Sequence, residues 1–367
     1  MLKSLATASL AAMTLTLTGF AGAADHAQAV KPMFKVLPPH VVDGVEFPAA
    51  PAAQLPQWNG SFTDQHDVQR NFVMAGSDPS TSNETTTIQA YLIPLIMVYG
   101  AANGNMTFDP TTETTSSGLT VMKQVARSPI FKASIDFVQG GTDLGKAQYI
   151  DAYQRGNFWH DVSKNTNYHT VLQIVKTLKP QTITVAASEG QVVDDPFHLG
   201  GKRGEMSIFA FDSRLQTFMT KLKQINPSVL PIFITTDVFL TQGGCCIGGY
   251  HSANSPQPGG QTYSYATYIN TVGSFSQDVS ALSHEIGEWM DDPFADNRVG
   301  CTDNSLLENG DPLEREPNYG GYPYTVNGFT YNLQSLVFLP YFGARLSTSV
   351  NKWYSFQNDM THVCPGQ

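Results

Sequence analysis

Charge is scarce in this 367-residue chain: Asp, Glu, Lys and Arg together make up 14% of it, and 21 basic residues face 31 acidic ones, a net of -10. An average globular protein carries about a quarter charged residues. A nucleic-acid-binding protein needs a basic face, and this balance offers none. Apolar residues do not fill the gap. They stop at 41% with a mean hydropathy of -0.18, so Thr, Ser, Asn, Gln, Gly and Pro stand where charge is missing. Beyond the N-terminus no apolar run is long enough to span a bilayer. Only four cysteines are present, none in a CxxC pair, which removes the usual paired-cysteine zinc sites. No GxSxG string occurs, which argues against a nucleophilic-serine hydrolase. What is left is a polar, neutral-surfaced, loop-rich chain of 40.0 kDa, large enough to bury a substantial core.

The first residues point to export. Lys3 precedes an uncharged stretch from Ser4 to Ala24, and Ala21-Gly22-Ala23 fits a small-x-small cleavage site, so residues 1–23 read as a signal peptide. The expected location is extracellular, or periplasmic, with no stable membrane insertion after cleavage. An even number of cysteines in an exported chain suggests disulfides. A ring between Cys245 and Cys246 is disfavoured because neighbouring Cα atoms lie closer than a disulfide prefers, so both are expected to find distant partners. Residues 24–85 hold six prolines between Ala27 and Trp58 and a polar tract from Ser77 to Thr87, the composition of an extended leader or pro-segment.

Residues 86–367 read as a single α+β domain. Strands are predicted at Ile88–Tyr99, Tyr168–Val175 and Thr182–Ala187, and a helix around Lys146–Trp159. Helical spacing of Phe209, Leu215, Phe218, Met219 and Leu222 predicts a helix over Met206–Ile225. Leu230–Leu240 is a buried strand candidate. A glycine-rich excursion, Gly243–Gly260, carries His251, and Thr262–Ile269 alternates like a half-buried strand. Asp278–Asp291 reads as a helix stopped by Pro293.

That last helix contains Ser283-His284-Glu285-Ile286-Gly287-Glu288-Trp289. His284 and Glu288 are four apart, so a helix projects both from one face, close enough to share an ion. Glu285 sits about 100° round the helix. Nine His and ten Glu in this chain give roughly 0.007 chance matches to HExxE, so the string is not an accident of composition. Ten of the 31 acidic residues fall between 285 and 316. Such density repels unless solvated or neutralised by a cation; a solvated acidic loop is the plain alternative. A hydrolytic zinc site needs three protein ligands. Asp291 is about 10 Å along the helix from His284, so the third ligand is sought in Leu307-Glu308-Asn309-Gly310-Asp311-Pro312. Glu308 is favoured, with Asp311 either replacing it or accepting the free ring N–H of His284. His251 could polarise a carbonyl or supply a further ligand, or be a loop histidine with no role.

The strings SHEIGEWMDDPF and LENGDPL resemble those of a largely uncharacterised family of secreted microbial proteins with a SHExxEWxxDPF motif and a downstream LExGDPL. More distantly they are similar to the plant phosphate-induced (exordium-like) proteins and to the zincin metallopeptidases. The first similarity also takes in Thr107-Phe108-Asp109-Pro110, Gln148 to Trp159 and Gly249-Tyr250-His251-Ser252. The resemblance implies a zincin-like module within 205–320: a backing helix, sheet strands and the ligand-bearing helix. By position it implies His284 and Glu288 as zinc ligands and Glu285 as general base. With carboxylates in place of a second His, Ca2+ or Mn2+ also fit. The expected activity is a secreted metallopeptidase-type hydrolase acting on extracellular protein, peptide or cell-wall polymer. The alternative is a non-catalytic extracellular interaction protein with a structural ion.

Overall fold

The computed structural model describes residues 30–47, 54–256, 259–301 and 306–366; the expected signal peptide lies outside them. The fold is mixed α and β, mostly strands with few helices, around a curled mixed sheet of eleven strands. Its centre is the eight-residue strand Val229–Thr236, every residue of which is buried. Parallel neighbours on both sides, Thr85–Tyr99 and Thr262–Tyr268, account for its unbroken apolar run VLPIFITT, since a strand covered on both faces does not alternate. Thr85–Tyr99 is long enough to pair along one edge with His169–Thr177 and then Gln181–Val185. On the other side of Thr262–Tyr268 lies Cys245–Ala253, antiparallel, followed by Val238–Thr241, Lys202–Ser207 and Gly190–Asp194.

One expected strand divides in two. Leu230–Leu240 is interrupted at Asp237, whose φ of +53° turns the chain, so Val229–Thr236 and Val238–Thr241 occupy different places in the sheet. Likewise, most of the excursion expected over Gly243–Gly260 is regular: Cys245–Ala253 is a nine-residue strand, wholly buried. Apolar alternation could not announce it, because both of its faces are covered.

The period of two along these strands sorts side chains between two layers. Tyr250, Tyr263 and Tyr265 face the helix Ile208–Lys221, packing with Phe211, Leu215 and Met219. The hydroxyls of Tyr250 and Tyr263 both donate to the buried Asp212, at 2.9 and 2.7 Å. Ala266 and Ile234 belong to the other layer with Leu282, Ile286, Trp289 and Met290 of the helix Ser280–Asp291. His251 follows Tyr250 and is therefore turned towards that second helix.

The stretch expected to be an extended leader is folded where it is described. Met33–Val36 runs parallel to Cys245–Ala253. Gln57–Thr63 and Gln69–Ala75 form a hairpin joined to the end of the motif helix through Asn297, which exchanges hydrogen bonds with the Val73 backbone at 2.9 and 2.8 Å. The cysteines correct another expectation. Cys245 bonds to its neighbour Cys246 across a cis peptide, and Cys301 to Cys364 with Cα atoms 5.6 Å apart. No helix among the described residues is long and apolar enough to cross a membrane.

Candidate metal centre

All twelve residues of Ser280–Asp291 are buried, which is unusual for a helix carrying four acidic or imidazole side chains. Two of its anchors are polar and fully paired. Trp289 Nε1 donates to Thr262 Oγ1 at 3.0 Å. Asp291 accepts from the Tyr153 hydroxyl (2.8 Å), Asn309 Nδ2 (3.0 Å) and Gln154 Nε2. Asp292, just beyond the helix, accepts the backbone N–H groups of Asp296 and Asn297 at 2.9 and 3.1 Å. These two aspartates hold the fold. Asn309 also donates to the Gly287 carbonyl at 3.0 Å, and so ties the Glu308–Asp311 segment across the helix.

His284 and Glu288 lie one turn apart as the spacing requires. His284 Nδ1 is 2.6 Å from Gln334 Oε1. Gln334 Nε2 donates in turn to the Gly310 carbonyl at 3.2 Å, which orients the amide so that its oxygen faces the ring. Nδ1 therefore carries a proton, and Nε2 is the nitrogen left to hold either a second proton or a cation. This replaces the expected role of Asp311 as acceptor of the ring N–H; Asp311 Oδ1 lies instead on the Nε2 side, at 3.6 Å. Glu288 Oε1 is 2.9 Å from Nε2 and accepts the N–H groups of Gly310 and Asp311, both at 3.1 Å.

His251 enters from the sheet. Its Nε2 is 3.2 Å from the Asp292 carbonyl, which fixes the proton there. Its Nδ1 faces Glu285 Oε2 at 3.5 Å and Glu288 Oε2 at 3.8 Å, while Glu308 Oε2 is 3.8 Å from Nε2. His284, Glu285, Glu288, Glu308 and His251 are all essentially inaccessible to solvent; Asp311 is about a third exposed, with 31% of its side chain accessible.

The polar accounting of this cluster does not close among the described residues. There, His284 Nε2, His251 Nδ1, Glu288 Oε2 and both carboxylate oxygens of Glu285 and of Glu308 are buried without a hydrogen-bond partner. Buried polar atoms are otherwise nearly always paired, and an orphaned one costs about 1–3 kcal/mol. Burial pushes the carboxyls of Glu285 and Glu308 well above the ordinary range. Neighbouring Glu288 and Asp311 push both further, and His284 partly opposes the rise at Glu285. Burial pulls His284 down, but Glu288 and Asp311 outweigh it and leave the ring well above its usual value. His251 falls to about 3, through burial and then the charge of His284. Without a cation the cluster can only hold protons; a cation would take their place.

Two glycines allow the close approach. A Cβ at Gly310 would stand 2.4 Å from His284 Nδ1, and one at Gly249 would stand 2.7 Å from Glu285 Cγ. Phe34, from the strand Met33–Val36, covers the His284 ring with 4.1 Å between centroids, and its backbone N–H donates to Glu314 Oε1. A small cavity of about 110 Å³ reaches the cluster past Glu308, Asp311, Glu314, Arg315 and Tyr341.

Thus the structure brings together every candidate read from the sequence: His284, Glu285, Glu288, Glu308, Asp311 and His251. Sequence reasoning missed Gln334, Phe34 and the part of Glu314. Gln334 is 50 residues from His284 and carries no local pattern; Glu314 was visible only as one member of an acidic run. The tyrosines at 319, 322 and 324 pack on Phe275, Phe137, Tyr149 and Phe356, a core role. Comparison of the chain with protein-family models, with curated proteins and with solved structures found no match.

Proposed function

We propose that this protein is a secreted metal-dependent hydrolase of the peptidase type, in which His284 and Glu288 hold a divalent cation, most simply Zn2+, with Asp311 or Glu308 completing the set. One observation carries the reading. Buried His284 Nε2 stands 2.9 Å from Glu288 Oε1 and 3.6 Å from Asp311 Oδ1 with no hydrogen-bond partner among the described residues, so this donor set holds either a proton on Nε2 or a cation in its place. Tetrahedral zinc with an open position accepts such imidazole and carboxylate donors, and the Gln334 contact supplies the orienting acceptor that metal-bound histidines ordinarily have. The helix lying against the His251 strand supports the finer reading of a zincin-like module.

When bound, the ion would supply positive charge that polarises a carbonyl and acidifies water. The chain supplies the rest. Glu285 has both oxygens without a protein donor, so its carboxylate is free to take a proton from the attacking water and return it to the leaving amine. His251, neutral and fixed by the Asp292 carbonyl, stands with Nδ1 3.5 Å from Glu285 Oε2. The proposed substrates are extracellular protein, peptide or cell-wall polymer.

A second reading, a structural ion in a non-catalytic protein, is favoured by the covering Phe34 and the small size of the cavity. Metal content and hydrolysis of a denatured protein substrate, compared between wild type and Glu285→Gln, separate the two. The hydrolase reading expects unchanged metal content and a rate lowered by at least about 100-fold. Full activity in the variant sinks the mechanism. Bound metal with no cleavage by wild type selects the structural ion.

A further inference from the structure

The ligand-type atoms of the cluster divide into two groups that meet at one residue. On one side, His284 Nε2 faces Glu288 Oε1 and Asp311 Oδ1, and His284, Asp311 and Glu314 offer atoms within 4.8 Å of one another. On the other, His251 Nδ1 faces Glu288 Oε2 at 3.8 Å, Glu308 Oε2 lies 3.8 Å from the same ring on its Nε2 side, and His251, Glu288 and Glu308 form a second such trio. The two oxygens of Glu288 point to different histidines. Each histidine has its other ring nitrogen engaged by a fixed oxygen, Gln334 Oε1 in one case and the Asp292 carbonyl in the other.

A single ion on the His284 side leaves His251 Nδ1, Glu288 Oε2 and both oxygens of Glu308, all buried, without hydrogen-bond partners among the described residues. Charge points the same way. Glu285, Glu288, Glu308, Asp311 and Glu314 bring five negative charges to the cluster. Three of these carboxyl groups, Glu285, Glu288 and Glu308, are essentially inaccessible to solvent, and one dication offsets only two negative charges.

We propose that the centre takes two divalent cations, bridged by Glu288, the second held by His251 and Glu308. This rests on the reading of the cluster as a cation site, and it gives Glu308 and Asp311 separate roles instead of making them competitors for one. Paired ions about 3.5–4 Å apart, clamped by a shared carboxylate, are a known arrangement in hydrolytic enzymes. Donor sets of one imidazole nitrogen with carboxylate oxygens suit Zn2+ or Mn2+.

The test counts ions in the full chain after equilibration with Zn2+ and removal of excess. It also records the electron paramagnetic resonance of the Mn2+-loaded protein. Wild type is expected to hold two ions per chain and to show a spin-coupled Mn2+ pair. His251→Asn and the isosteric Glu308→Gln should each retain one ion, weaken the second by at least about tenfold, and lose the coupling. Circular dichroism and thermal melts of the metal-free proteins establish that the variants fold; if one does not, the wild-type count and coupling decide. One ion in wild type overturns the second subsite and leaves the hydrolase site standing, whereas none overturns both. Two tightly held ions in both variants, or loss of both ions from a folded variant, also overturn the inference.

Discussion

Gly310→Ala tests whether the Glu308–Asp311 segment positions His284. Gly310 has an ordinary negative φ of -89°, so alanine costs nothing in backbone geometry. Its Cβ would, however, lie 2.4, 2.5 and 2.8 Å from three atoms of the His284 ring. Relief to ordinary contact needs about 1 Å of movement. The ring has nowhere to go: Gln334 holds Nδ1 at 2.6 Å and Phe34 covers one face. Either the ring or the loop must shift, and overpacking of this kind costs about 1–3 kcal/mol. Part of that falls on the His284–Gln334 hydrogen bond, worth about 1 kcal/mol, and part on the two backbone donors to Glu288. If half of it is felt by the bound ion, Zn2+ affinity drops about two- to tenfold, since 1.4 kcal/mol is a factor of ten. The assay is Zn2+ competition against a chelator, with thermal melting in parallel. Gly60→Ala is the control. There a Cβ would meet Phe72 and Trp58 at 2.4 to 2.6 Å and not the His284 ring, so stability should fall while affinity holds. An unchanged Zn2+ affinity for Gly310→Ala would refute the claim that this segment sets the ligand geometry.

Removing the ion with a chelator should lower the melting temperature, because a ligand at 100 times its dissociation constant contributes about 2.7 kcal/mol; an unchanged melt would count against a cation in the buried cluster. Phe34→Ala should speed metal loss to a chelator severalfold, read by stopped-flow, because it strips the cover from His284; an unchanged rate would place the exit route elsewhere. Asp278 makes a pH prediction. Burial raises its carboxyl to about 7 against the donors Asn332 and the Val279 N–H, and the rings facing it, Tyr268 and Tyr331, have hydroxyls raised above their usual range. A raised carboxyl means that the folded state binds the proton more tightly. Its contribution is complete below about pH 4 and is lost as pH rises through 7. In metal-free protein, Asp278→Asn should flatten that decline relative to wild type by an amount on the order of a few kcal/mol; equal slopes would refute it.

Much of the site was legible because its first part is local. Helical geometry alone places His284 and Glu288 on one face and Glu285 beside them, and the reach of an Asp side chain alone sets Asp291 aside. The acidic segment 308–311 was legible as a partner because its turn residues surround two carboxylates. The fold was harder to read wherever burial removes alternation. Cys245–Ala253 reads as a glycine-rich loop because neither face meets water, and the single apolar run from Leu230 hides a change of strand at Asp237.

The amino-acid order by itself determined the HExxE geometry, the low and unevenly placed charge, and the elements whose period is exposed on one side. Tertiary structure decided which oxygen completes each histidine, that Gln334 and not Asp311 takes the His284 proton, that His251 reaches the cluster, and that Phe34 closes over it. The reason is separation along the chain. Those contacts join residues from 34 to 250 positions apart, and their geometry comes from sheet register and helix packing, which no local spacing encodes.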